Sequence, residues 1–153
     1  FATSVLMVLM VFGAFGRIFG GILGDRIGAL PGYILMSLGQ TIFVIWFPDL
    51  ISPTTIYVMA ALFGFTYSGV MSSILVCTRM MVPANYGARA MSLTSFFGWI
   101  GMGLGGFLGG YFFDIYGNYN WAFTFAGLSG VINLIILSFF FLYIRRAERL
   151  VLN

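Results

Sequence analysis

One arginine, Arg17, stands inside an apolar, glycine-rich run from Phe12 to Gly24, eight residues before Asp25. In a helix rising 1.5 Å per residue, that spacing puts it about 12 Å inside the segment end marked by Asp25. A hydrocarbon core about 30 Å thick would hold it near the midplane. A guanidinium there costs between about 2.5 and well over 10 kcal/mol unless it faces a cavity or a partner. The four acids, Asp25, Asp49, Asp114 and Glu148, all fall at segment ends or in loops, so none matches its depth. Either a carboxylate comes from outside these segments, or the arginine faces water and receives an anion. Its planar fork binds a carboxylate through two parallel hydrogen bonds, which a lysine does not reproduce.

The same count finds other side chains at mid-depth: Tyr67 and Ser68 in the third apolar segment, and Trp99 in the fourth. Their hydroxyls and aromatic faces suit either a substrate cavity or helix packing. Gln40 and Asn133 are expected to make hydrogen bonds between helices. Cys77 is a lone thiol, too little for a disulfide framework or a metal site. With no histidine and only scattered acids, neither a nucleophile–base pair nor a metal cluster is visible, which argues against an enzyme. No cofactor and no metal are expected. Nothing resembles a phosphate loop, so ATP is not the expected energy source.

The elements that must position these residues follow from composition. The chain has 153 residues, 61% hydrophobic and 7% charged, with a net charge of +3 and 21 glycines. Soluble domains carry about a quarter charged residues, and disordered chains are poor in the residues abundant here. The sequence therefore predicts an all-α polytopic membrane protein with five transmembrane helices, at about residues 2–24, 30–47, 55–80, 90–113 and 121–143. A barrel is excluded by apolar runs far longer than ten alternating residues. The start at Phe1 lacks a basic n-region and reads as a cut inside or just before a helix rather than a signal peptide.

The arginines set the topology. Arg26, Arg89 and the group Arg145, Arg146 and Arg149 fall on one side of alternating crossings. The positive-inside rule makes that side cytoplasmic, with the C-terminus inside and the chain a multi-pass protein of the cell membrane. This accounts for the positive charge without nucleic acid. Trp46, Tyr57, Tyr116, Tyr119 and Trp121 mark the opposite boundary as an aromatic belt. Small residues recur every four positions: Gly16, Gly20, Gly24 and Gly28; Gly64, Ser68 and Ser72; Gly101, Gly105 and Gly109. Such stripes let backbones approach closely in lipid. They predict that spans one, three and four pack tightly inward, with spans two and five as outer supports.

The stretch Gly21-Ile22-Leu23-Gly24-Asp25-Arg26-Ile27-Gly28 resembles the G-x-x-x-D-R-x-G loop motif of the major facilitator superfamily. The resemblance implies a gating role for Gly21, Asp25, Arg26 and Gly28, and five helices of a six-helix bundle with the first helix missing. Together with the short basic tail, it identifies the chain as similar to a C-terminal half, helices eight to twelve. Where the family loop continues with basic residues, Ala29 and Leu30 follow here. The run Gly109-Gly110-Tyr111-Phe112-Phe113-Asp114, then Gly117-Asn118-Tyr119 and Trp121-Ala122-Phe123, resembles the helix eleven to twelve junction of the monocarboxylate and oxalate/formate branch. Gly16-Arg17 resembles helix eight of that branch, whose arginine binds substrate carboxylate. Span four lacks the lysine of oxalate-type members, which favours a monocarboxylate.

The resemblance implies secondary active transport of small organic anions by alternating access. The expected partners are the anion, protons, the lipid bilayer and an N-terminal half of the same transporter. The expected binding residues are Arg17, Tyr67, Ser68 and Trp99. Two alternatives stay open: a transporter of another solute such as a drug or sugar, and a non-transporting half-protein or scaffold.

Overall fold

The computed structural model describes residues 2–49 and 52–151, with side chains as far as Ala147. Arg149 and Glu148 therefore lie beyond the described side chains, and part of the loop between Pro48 and Pro53 lies outside the described residues. Five helices follow one another: α1 (Ala2–Ile27), α2 (Ala29–Trp46), α3 (Pro53–Met81), α4 (Gly87–Tyr116) and α5 (Asn120–Val151). Each is long and apolar enough to cross a membrane, and no strand occurs among the described residues. Closing every backbone hydrogen bond within its own segment is what an apolar solvent demands.

The helices overrun the apolar runs. Asp25, Arg26 and Ile27, read from sequence as a polar turn, are the last turn of α1, and Gly28 alone makes the turn. Gly28 has φ 99 and ψ 150, a conformation open in practice to glycine alone. At the opposite end of the bundle, Gly117 ends α4 in the left-handed region at φ 66. These two are the only positive-φ glycines among the described residues. Both close the same spacing, G-G-x-x-x-D-x-x-G, at Gly20 to Gly28 and at Gly109 to Gly117. Helix α5 runs past its apolar stretch through Arg145 and Arg146, both exposed.

The tightest contact is α1 on α3. A Cβ at Gly13 would meet Ser68 Oγ at 2.6 Å, and one at Gly20 would meet the Gly69 carbonyl oxygen at 2.9 Å. A Cβ at Gly16 would overlap the backbone of Phe65, and one at Gly64 the backbone of Leu9. The expected close approach of spans one and three is thus present, glycine against small residue.

Span two corrects the expectation of a peripheral helix. It packs on α1, α3 and α5 and buries Ala29, Leu30, Gly32, Tyr33, Met36, Ser37 and Thr41. Ala29 and Leu30, standing where the family loop is basic, are part of this core. Across the seam between α2 and α5, Asn133 Nδ2 donates to Ser37 Oγ at 2.9 Å.

Span four corrects the expectation of tight packing. It buries only Gly87, and none of Gly98, Gly101, Gly103, Gly105, Gly106, Gly109 and Gly110 has an atom within 4 Å of an added Cβ. Helix α4 is held instead at a few scattered side-chain contacts. Thr78 Oγ1 and Thr94 Oγ1 are 3.3 Å apart toward its N-terminal end. Phe112 packs on Phe125 with ring centroids 6.2 Å apart toward its C-terminal end. Phe113 stacks on Tyr119 at 4.6 Å beside it.

Candidate functional site

Two cavities flank α4. The larger, about 560 Å³, lies between α2, α3, α4 and α5, and Gly101, Gly105 and Gly109 line it. Gln40 also lines it and makes no hydrogen bond among the described residues, in contrast to its expected role; Asn133 makes the bond expected of it. The smaller, about 340 Å³, lies between α1, α3 and α4 and contains Arg17, Tyr67 and Trp99 in its lining. Arg17 lies ten residues before the end of α1 and Trp99 twelve after the start of α4. At 1.5 Å per residue these depths are about 15 and 18 Å from the arginine-rich ends of the helices.

Each wall is set by the helix it rides on. Gly13, Gly16 and Gly20 press α1 onto α3, and Arg17 follows Gly16 one position on, at the edge of that contact. Tyr67 stacks on Phe63, centroids 5.8 Å apart, and its hydroxyl lies 3.8 Å from Met102 Sδ, linking α3 to α4 across the cavity. Trp99 is 74% exposed, its indole standing on the open side of α4. Among the described residues Arg17 has neither an ion pair nor a hydrogen bond. Asp25 sits about 12 Å along the same helix, too far for a salt bridge.

Ser68 is placed elsewhere. It faces Gly13 across the α1–α3 contact, and Ser72, one turn further on, lines the cavity in its stead. Met71, Ile74, Leu75, Thr94, Ser95, Gly98 and Met102 complete the lining and were not singled out from sequence. Helical spacing holds a signal for some of them: Met71 is four residues after Tyr67, Ser95 four before Trp99 and Met102 three after it.

The proton inventory of the site is limited. Ser72 Oγ donates to the Ser68 carbonyl at 3.3 Å, and Thr94 Oγ1 donates to the Ala90 carbonyl at 3.0 Å. Tyr67 is spent on a thioether, a weak acceptor. The donors left for an incoming acceptor are the Arg17 guanidinium, the Ser95 hydroxyl and the Trp99 indole N–H, with Tyr67 recruitable. No group of three or more His, Cys, Asp or Glu that could hold a metal ion occurs among the described residues.

The four loop-motif residues lie at the C-terminal end of α1. Asp25, Arg26 and Gly28 are exposed there, while Gly21 is half-buried with no atom within 4 Å of an added Cβ. Arg79, Arg89, Arg145 and Arg146 are also exposed. By helix order, all five described arginines outside Arg17 occupy helix ends on the same face of the bundle. Trp46, Tyr116, Tyr119 and Trp121 are exposed at the other face, where Tyr116 and Trp121 pack 5.7 Å apart.

The family model of the Major Facilitator Superfamily matches residues 1–152. No curated protein and no solved structure matches the chain. Five membrane-length helices, the Asp25–Arg26 turn motif and a match over essentially the whole length agree: the chain belongs to the major facilitator superfamily of membrane transporters.

Proposed function

We propose that this chain is the C-terminal bundle of a secondary transporter of small organic anions, with monocarboxylates as substrates and Arg17 as their anchor. The observation that carries the reading is an arginine with no partner among the described residues, lining a mid-depth cavity with Tyr67 and Trp99. An intramembrane cation is retained where it serves a pathway, and a carboxylate offers the bidentate acceptor that a guanidinium fits. Anchoring near the midplane lets a bundle rock around a fixed site, presenting it to one side and then the other.

In this reading Asp25 and Arg26, at the inner end of α1, belong to the gate rather than to the substrate site. The arginine-rich face is cytoplasmic, the membrane is the cell membrane, and an N-terminal half completes the transport path. No acid lies at mid-depth among the described residues, so a co-transported proton is carried outside them.

Counterflow of radiolabelled lactate, pyruvate, formate and oxalate into liposomes holding the full-length protein tests the proposal. Saturable exchange of the monocarboxylates, steepened by an inward proton gradient, is expected. Exchange of sugars or cationic drugs with no carboxylate exchange would replace this reading with that of another solute. Absence of any exchange by folded protein would favour a scaffold.

A further inference from the structure

The 340 Å³ cavity is much larger than the carboxylate group that Arg17 can hold, and its remaining walls have a distinct chemistry. Resting on the carboxylate reading above, we infer that the site selects monocarboxylates with a sizeable apolar or aryl body, and that Trp99, Met102 and Met71 set this preference. Four facts lead there.

The first is charge. Among the described residues Arg17 is the only cation in the lining, so this bundle offers a second carboxylate no counter-charge. An unpaired carboxylate carried into a low-dielectric site is opposed by several kcal/mol of desolvation. The second is donor count. A carboxylate only accepts hydrogen bonds, and the hydroxyl protons of Ser72 and Thr94 already go to their own helices. The charged donor left in the described lining is the Arg17 guanidinium, and the neutral donors Ser95 and the Trp99 indole do not offset the charge of a second carboxylate.

The third is the composition of the walls away from Arg17. Met71, Ile74, Leu75, Trp99 and Met102 supply thioether, aliphatic and indole surface. Thioethers and aromatic rings attract one another and adapt to irregular apolar shapes. An indole face offers an aryl substrate a stacking partner beyond its apolar area. The fourth is placement. Arg17 rides on α1, whereas the apolar side chains ride on α3 and α4, so the cation and the apolar surface belong to different helices.

The test is competition against labelled substrate in liposomes carrying the full-length protein. The competitors are acetate, butyrate, hexanoate, phenylacetate, lactate, malate and oxalate. Apparent affinity should rise about fourfold for each methylene buried, until the cavity is filled. Phenylacetate should outcompete lactate by at least about tenfold, and malate and oxalate should compete weakly. In Trp99→Ser the ratio of phenylacetate to acetate affinity should fall about tenfold, and Trp99→Phe should restore most of it.

A flat chain-length series, or oxalate competing as well as phenylacetate, would overturn the inference. So would an unchanged affinity ratio in Trp99→Ser. Arg17→Gln, run beside these, separates the two levels of the argument. If Arg17→Gln abolishes exchange while the series is flat, only the body preference is lost. If exchange survives in Arg17→Gln, the carboxylate anchor falls, and this inference with it. Monodispersity in detergent identifies any variant that failed to fold; Met102→Leu, which keeps volume and removes the thioether, then reads the same ratio on a conservative change.

Discussion

Helices α1 and α4 carry the same glycine-rich signature and the same G-G-x-x-x-D-x-x-G ending, yet α1 is clamped and α4 is not. Along α1, Gly13, Gly16 and Gly20 lie against Ser68, Phe65 and Gly69, so close that added methyl groups would collide. Along α4, seven glycines from Gly98 to Gly110 meet no atom within 4 Å of an added Cβ. The difference lies opposite the stripe. Helix α3 offers α1 Ser68, Gly69 and the exposed backbone of Phe65, whereas the glycines of α5 are taken by α2, Gly127 against Ile45 and Gly130 against Thr41. A small-residue stripe permits close approach; it does not supply the partner. For the cavity, the consequence is that Arg17 rides on a closely packed pair of helices, and Trp99 and Met102 on a helix with few neighbours.

The contrast is broken most forcefully at its tight end. Gly16→Leu drives a side chain into the Phe65 backbone and should destabilise the bundle by about 3 kcal/mol or more, since backbone cannot step aside. Thermal unfolding of the detergent-solubilised protein reads the effect. The two turns give the next largest difference. Gly28→Ala forces a methyl group into a conformation reserved for glycine and should cost about 1–3 kcal/mol. Gly117→Asn, in the left-handed cap that asparagine also adopts, should cost less by the same assay. The smallest effect belongs to α4. Gly105→Ala should move stability by less than about 0.5 kcal/mol, as expected of a site with open space around it. If Gly105→Ala proves as costly as Gly16→Leu, the α4 stripe has a close partner beyond the described residues, and the two helices are alike after all.

Much of the fold was legible because lipid imposes few solutions. Apolar runs of about 20 residues forced five helices, and their alternation along the chain puts the arginine-bearing helix ends on one face. Helix ends were less legible. Polarity suggested a turn at Asp25, but exposed charges extend a helix happily, and only the backbone of Gly28 stops it. The roles of spans two and four were misjudged for one reason: glycine count measures how near a neighbour can come, not whether one is there. Span two is central through ordinary side chains such as Tyr33 and Met36, which carry no such signature.

Arg17, Tyr67 and Trp99, singled out by depth alone because ionisable and amphipathic residues are rare at mid-depth, line one cavity. Ser68 was misassigned because depth does not reveal which way a side chain faces. One turn along α3 separates the helix contact at Ser68 from the cavity at Ser72. Met71 and Met102 escaped notice because methionine in an apolar helix looks like any other filler.

The central claim is that Arg17 holds the substrate carboxylate, and it is tested most directly by exchanging that one side chain. Counterflow by the full-length protein in liposomes would compare wild type, Arg17→Lys and Arg17→Gln at equal amounts of folded protein. Carboxylate exchange that vanishes in Arg17→Gln and falls at least about tenfold in Arg17→Lys, where charge remains but the fork is gone, is the predicted result. Exchange at the wild-type rate in Arg17→Gln would contradict it and leave Arg17 as the partner of an acid elsewhere in the transporter.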